Sequence, residues 1–354
     1  MAETLRVGLI GAGANTRARH LPGLRAIDDV EVVAVANRTP DSSRKAASEL
    51  EIERGYEHWS DLVADPAIDA VVVGTWPNLH AEVTVAALAA GKHVLCEARM
   101  ARNLAEARTM FEAAKASDAV AQLVPSPFGL ELGERVGELV RDHYIGDLRE
   151  YVVTGADDSV WDFSKPLHWR QDAAISGRNT LSLGILHETV MPWVPEPHRV
   201  LAMQQTFEPT RPDLEAGDYR AVTVPDSLCV LAECANEVRG LYRFSGVQLF
   251  GPGKQVELYG SRGTLVLKFG ETERLFGARL GDDELQEIDV PADARGQWNV
   301  EADFVESIRT GKKVRRTTFG DGVRYMEFTE AALRASEAGQ PIDFPVSSDV
   351  DDAS

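Results

Sequence analysis

A mostly apolar run, Leu5–Ile10, leads straight into Gly11-Ala12-Gly13, and a helical stretch over 16–27 follows. Strand, glycine turn and helix at the head of a chain leave few folds open, because the turn commits the strand to a crossover whose helix must pack back on a sheet. The same alternation continues. Segments 30–36, 70–74, 93–96 and 120–124 read as short buried strands, and 41–50, 81–90 and 104–117 as helices, the second of them stopped by Gly91. Spacing of this kind predicts a doubly wound parallel sheet of Rossmann type over 1–125, with helices on both faces.

Beyond a linking helix at 129–143 the pattern changes to longer β-rich segments at 148–155, 227–233, 238–245, 255–260 and 263–269, joined by Gly and Pro turns. They predict an α+β domain over 126–346 with one large, mainly antiparallel open sheet. Helices at 298–310 and 320–338 are expected to pack back on the first domain, and the acidic tail 347–354 to fray.

Composition narrows the function classes. A formal net charge of -19 argues against a phosphate-backbone partner, so nucleic acid is not expected. No apolar run approaches the roughly 18 residues a spanning helix needs, and the N-terminus lacks a signal-like segment, so a cytoplasmic protein without membrane contact is expected. Cys96, Cys229 and Cys234 form neither a disulfide framework nor a CxxC pair. The histidines show no HxxxH or HExxH spacing, so no metal is expected.

The turn carries the first chemistry. Without side chains at Gly11 and Gly13, the amides from Gly11 through Ala14 and Asn15 and the helix start can approach a pyrophosphate. Thr16 holds the place of the fingerprint's third glycine, and a tight βα connection with no ligand is the plainer alternative. At the end of the second strand Ala36-Asn37-Arg38-Thr39 offers no carboxylate to ribose hydroxyls. Arg38 suits adenine stacking and a 2′-phosphate, with Asn37 and Thr39 as hydrogen-bond partners, so NADP(H) is expected over NAD, which stays possible.

Several motifs together resemble the Gfo/Idh/MocA family, the glucose-fructose oxidoreductase and inositol dehydrogenase group. They are Val7-Gly-Leu-Ile-Gly-Ala-Gly13, Asp69-Ala-Val-Val-Val-Gly-Thr75 with Pro77, Asn78 and His80, and Ala90-Gly-Lys-His-Val-Leu-Cys-Glu97. The resemblance implies a substrate domain behind the Rossmann domain, action on a hydroxyl or carbonyl of a sugar, cyclitol or related small molecule, and a homodimer or homotetramer formed through the C-terminal sheet. It further implies that Thr75, Trp76, Pro77, His80 and Glu97 line the cofactor; the aromatic ring of Trp76 suits a place along the nicotinamide, with ordinary loop packing as the alternative.

Departures from the family pattern fall on its chemistry. Where the family follows Glu97 with Lys-Pro, this chain has Ala98 and Arg99, and the family's helical Asp and His positions hold Ser182 and Leu186. His187 lies one residue later, about 100° around a helix. It is the candidate for proton transfer, with Glu188 to orient it or a neighbour and a buried, hydrogen-bonded histidine as the alternative, while Arg99 is assigned to binding or oxyanion stabilisation. Trp169, Arg170, Arg178 and Asn179, together with His187, are expected to meet a carbohydrate-like substrate. His20 and His80 are expected to cap or pack near the cofactor turns. Three functions stay open: an NADP(H)-dependent oxidoreductase, a redox-neutral lyase, hydrolase or epimerase with a retained cofactor, and a non-catalytic cofactor sensor.

Overall fold

Parallel strands covered on both faces need continuous apolar runs, and Ala70–Val73 meets that need with every residue buried. The computed structural model describes residues 4–214 and 217–346, so the expected tail at 347–354 lies outside the described residues. The chain divides into two units, one holding residues up to Pro125 together with Asn299–Arg324, the other holding Ser126–Trp298 and the chain from Tyr325 onward.

The first unit is a six-stranded parallel sheet of β1 (Leu5–Ile10), β2 (Val30–Ala36), β3 (Arg54–Tyr56), β4 (Ala70–Val73), β5 (His93–Cys96) and β6 (Ala121–Leu123), in the order β3-β2-β1-β4-β5-β6. Strand β3 was not legible in the sequence, because three residues with Arg and Tyr show no apolar period. The order reverses between β1 and β4, and the crevice beyond their carboxyl ends is where doubly wound sheets bind ligands. The stretch expected as one helix at 16–27 is a π turn, Thr16–His20, followed by a short α-helix, Leu21–Arg25. The helix expected at 81–90 spans Pro77–Ala89, since Pro77 has its φ preset and no N–H to satisfy at a helix start. Helix Val300–Thr310 returns to this unit, where the Gln122 amide donates to the Val300 carbonyl at 3.3 Å and Arg309 reaches the Asp28 carbonyl at 2.6 Å.

The second unit holds β7 (Leu148–Ala156), β8 (Pro197–Gln205), β9 (Thr210–Asp213), β10 (Asp218–Ala221), β11 (Ser227–Cys234), β12 (Arg239–Ser245), β13 (Gly253–Gly260), β14 (Gly263–Phe269), β15 (Glu273–Arg279), β16 (Gln286–Glu287) and β17 (Ile342–Asp343). Nine of them form one sheet in the order β16-β15-β14-β13-β7-β12-β11-β8-β17, antiparallel except for the parallel β7–β12 pair, and β9 with β10 forms a separate hairpin. Strict inward and outward alternation along β11 and β12 buries Leu228, Val230, Ala232, Tyr242 and Phe244 on one face. The other face exposes Leu201, Met203, Leu231 and Leu241. Strands β8 and β15 were missed because polar residues fall on both of their faces, Gln204 inward and Arg199 outward on β8, Glu273 inward and Arg274 outward on β15. The linking helix is shorter than expected, Gly133–Arg141, and the Glu273 carboxylate accepts the amides of Gly129 at 2.6 Å and Leu132 at 2.8 Å just before it.

Candidate active site

In the first unit the turn after β1 has each of its carbonyls tied inward. Ile10 accepts from the Gly74 amide at 2.8 Å, Gly11 from the Thr16 hydroxyl at 2.9 Å, Ala12 from Arg17 Nε at 3.0 Å and Gly13 from the Arg17 amide at 3.0 Å. Gly11 has φ +92°, and a Cβ there would stand 2.8 Å from the backbone of Gly74 and Thr75, so no other residue fits. Gly13 differs: its Cβ would meet nothing closer than the Gly74 carbonyl at 3.7 Å. Its bare Cα leaves room on the ligand side, and the first amides of the helix, through Ala14 and Asn15, have no acceptor within it. This arrangement fits a dinucleotide pyrophosphate. Thr16 occupies the third fingerprint position without harm because its hydroxyl serves the Gly11 carbonyl.

The segment after β2 is partly committed to the fold. Asn37 Oδ1 accepts the Ala12 amide at 2.8 Å and its Nδ2 donates to the Ser42 carbonyl at 3.1 Å, bracing the turn. Thr39 caps helix Pro40–Glu49, its hydroxyl accepting the Ser42 amide at 3.2 Å. Both residues therefore already serve structural partners, which leaves Arg38 as the exposed cation of the segment.

Two buried histidines hold the loops around this crevice. The ring of His20 is sandwiched between carboxylates, Nε2 at 2.9 Å from Glu97 and Nδ1 at 2.5 Å from Glu301. Burial alone would lower its pKa, but hydrogen bonds to Glu301 and Glu97 push it up to about 9, so at neutral pH it is an imidazolium. Burial would raise the Glu97 carboxyl, and His20 instead holds it below its ordinary range. Glu97 also accepts from Asn15 Nδ2 and from the Ala98 amide at 3.2 Å. It thus braces the helix after β1 against the loop after β5.

His80 lies fully buried in helix Pro77–Ala89, with Nε2 3.0 Å from the Thr75 carbonyl and Nδ1 3.0 Å from the Arg99 carbonyl. Carbonyls only accept, so the ring donates from both nitrogens. Burial would lower its pKa, and the Cys96 sulfur and the Thr75 carbonyl push it up to about 9. It ties the Thr75–Trp76 turn to the Arg99 segment from behind. Trp76, 41% exposed, stands at the start of that helix with Pro77 buried behind it, and the Arg99 side chain is buried.

The second unit carries the other expected residues. Arg170 lies over the Trp169 ring at 4.2 Å, in the short turn Trp169–Gln171. Arg178 forms ion pairs with Glu337 and, at 3.6 Å, Glu330, and Asn179 is buried with its amide donating to the Ser176 carbonyl at 2.7 Å. These two residues fix their loop to its own unit. His187 sits in helix Leu183–Val190, 3% exposed, stacked on Phe328 at 3.7 Å, with Nδ1 2.8 Å from the Tyr242 hydroxyl. Glu188, next in the chain, accepts the Ser126 amide at 3.1 Å through Oε1. Pairing of His20 with Glu301, 281 residues away, left no sign in the sequence, and Tyr242 lay unremarked within the segment expected as a strand at 238–245. Among the described residues no group of His, Cys, Asp and Glu is arranged to hold a metal ion, and no helix is long and apolar enough to cross a membrane.

Fold and turn together define a Rossmann-type dinucleotide-binding protein with a second, sheet-based unit. Residues 5–124 match the model of an oxidoreductase family with an NAD-binding Rossmann fold, and 134–266 match the Gfo/Idh/MocA C-terminal domain. Levoglucosan dehydrogenase of Pseudarthrobacter phenanthrenivorans is 25% identical over 97% of this chain and 99% of its own. Myo-inositol 2-dehydrogenase of Thermotoga maritima is 34% identical over 33% of this chain and 34% of its own. Among solved structures, levoglucosan dehydrogenase in complex with NADH and L-sorbose superposes with a TM-score of 0.86 at 24% identity, covering 96% of this chain and 99% of that one. The chain belongs to the Gfo/Idh/MocA family of nicotinamide-dependent oxidoreductases.

The His20 cluster makes stability depend on pH. An unfolded imidazole titrates near 6.5, so the stabilisation from His20 is complete below that value and is lost as pH rises through about 9. The melting temperature is expected to fall between about pH 7 and about pH 9.5, and to fall less steeply in His20→Gln. Parallel curves from the two proteins would remove His20 from the linkage.

Proposed function

We propose that this chain is an NADP(H)-dependent oxidoreductase acting on a hydroxyl or carbonyl of a sugar, cyclitol or related small molecule. The observation that carries the cofactor choice is Arg38, exposed at the end of β2 in a segment with no carboxylate, while its neighbours Asn37 and Thr39 are occupied. A guanidinium there pairs with a 2′-phosphate, and a bare ribose hydroxyl has no acidic partner. The substrate class rests on relatives named for levoglucosan and inositol and on the complex with L-sorbose. When bound, the nicotinamide exchanges a hydride with the substrate carbon. Gly11, Gly13, Ala14 and Asn15 hold the pyrophosphate; Thr75, Trp76 and Pro77 flank the nicotinamide, with His80 and Glu97 setting their loops. Arg99 contributes charge for a substrate or cofactor oxygen, Trp169 and Arg170 meet the substrate, Arg178 and Asn179 shape that loop, and His187 meets the substrate oxygen. Arg38→Ser is expected to weaken NADPH binding about tenfold or more, a loss of about 1.4 kcal/mol, with NADH nearly unchanged. Equal or tighter binding of NADH by the native chain in calorimetry would overturn the NADP(H) assignment.

A second reading is favoured by Ala98 in place of the family lysine. A chain without that ammonium suits a redox-neutral lyase, hydrolase or epimerase that oxidises its substrate only transiently. Polyols and keto-sugars incubated with NADP(H) decide between them by absorbance at the reduced-nicotinamide band. Net change supports the dehydrogenase, and product at constant nicotinamide redox state supports the second reading.

The exposed face of the nine-stranded sheet is proposed as the contact of a homodimer or homotetramer. Leu201, Leu231 and Leu241 stand side by side across β8, β11 and β12, and beside them runs a row of alternating charge, Arg199, Glu233, Arg239 and Glu150. An apolar row bordered by both signs of charge is self-complementary under a two-fold axis. Leu231→Arg is expected to lower the mass in light scattering to that of a monomer, and an unchanged mass would place the contact elsewhere.

A further inference from the structure

Four buried polar groups from four elements of the second unit form a single file. His187 Nδ1 of helix Leu183–Val190 lies 2.8 Å from the Tyr242 hydroxyl of β12, which lies 3.2 Å from the Tyr151 hydroxyl of β7, which lies 3.4 Å from Cys234 Sγ of β11. Tyr151 can reach across because its register partner on β12 is Gly240, where a Cβ would collide with the ring. Phe328, stacked within 7° of parallel on His187, sets the plane of the imidazole. Cys234 ends the file at 1% exposure, so that end opens on no solvent.

With both phenol hydrogens used inside the file, the three links run in only two ways, because each hydroxyl and the thiol carry one hydrogen and any other arrangement leaves a buried hydroxyl hydrogen without an acceptor. Burial pushes both phenols and the thiol up, so all three are protonated at neutral pH. In one direction Cys234 donates to Tyr151, Tyr151 to Tyr242, and Tyr242 to His187 Nδ1. In the other, His187 Nδ1–H donates to Tyr242 and the file ends with a phenol donating to the sulfur. The first matches the strongest neutral donor present, a phenol, with the strongest acceptor, an imidazole nitrogen, across the shortest gap. The second replaces that pair with a phenol donating to thiol sulfur, a weak acceptor. Turning the file around means rotating three hydrogens in a packed core.

We infer that Tyr242 holds His187 as the neutral tautomer with its proton on Nε2, so that His187 serves as a hydrogen-bond donor to the substrate oxygen and not as a carrier of the transferred proton. The donor role rests on the reading above that His187 meets the substrate; the tautomer does not. A neutral imidazole N–H polarises a carbonyl oxygen, or steadies an alkoxide, without itself changing charge. It cannot take a proton at Nε2, which is already occupied, and the proton of the reaction therefore passes through another group or water. Tyr242 is a positioning residue, with Tyr151 and Cys234 behind it.

The test is the nitrogen spectrum of the native chain labelled with 15N-histidine at about pH 7.5, the His187 pair being assigned by its loss in His187→Gln. Nε2 is expected to show the shift of a protonated, pyrrole-type nitrogen and Nδ1 that of a bare, pyridine-type acceptor. In Tyr242→Phe both shifts are expected to move toward the average of the two tautomers, while the native spectrum decides by itself should that variant not fold. A protonated Nδ1 with bare Nε2, or two protonated nitrogens, would overturn the inference. None of these spectra depends on bound substrate, so a failure of the tautomer is seen separately from a failure of the proposed function.

Discussion

Backbone touches backbone where β1 and β4 end, and the rest of the first unit is arranged around that contact. The Gly74 amide reaches the Ile10 carbonyl and the space that a Gly11 side chain would fill belongs to Gly74 and Thr75. Two strands can come this close only where neither carries a Cβ, and the chain can then turn at once into the π turn that begins at Thr16. With the turn's carbonyls drawn inward, and the Gly11 and Ala12 amides given to the Ala36 carbonyl and Asn37 Oδ1, the helix start beyond Gly13 is what remains for an anion. The polarity of the crevice thus follows from a packing requirement before any ligand is considered.

Buried histidines show how neighbours decide chemistry that residue type alone leaves open. His20 meets two carboxylates and His80 meets carbonyls on both sides, so each is a cation that ties loops together. His187 meets a phenol hydroxyl in a file of neutral donors and has no need of charge. The two cations lie around the loops that follow β1, β4 and β5, where charge fixes loop position, while His187 lies in the second unit.

The parallel sheet was legible from its runs of buried Val, Leu and Ala, because a strand covered on both faces must be apolar throughout. The large sheet was legible in part: β11 and β12 alternate cleanly, whereas β8 and β15 mix polar residues into both faces. Of the candidate site, the position of the glycine turn and of the exposed Arg38 could be read directly, since both depend on local backbone at a strand end. Arg178 and Asn179 looked like substrate groups from their chemistry and turned out to hold their own loop, through Glu330, Glu337 and the Ser176 carbonyl.

Local order along the chain was enough to indicate a doubly wound domain, its glycine turn, the family resemblance, and the loss of the family lysine at Ala98, because each depends on residues within a few positions of one another. Folding alone decided that His20 would join Glu97 to Glu301, that Glu97 would brace loops, and that His187 would face Tyr242. Those pairings span tens to hundreds of residues, and a side chain's protonation state is set by whichever acceptor the packed chain brings within about 3 Å.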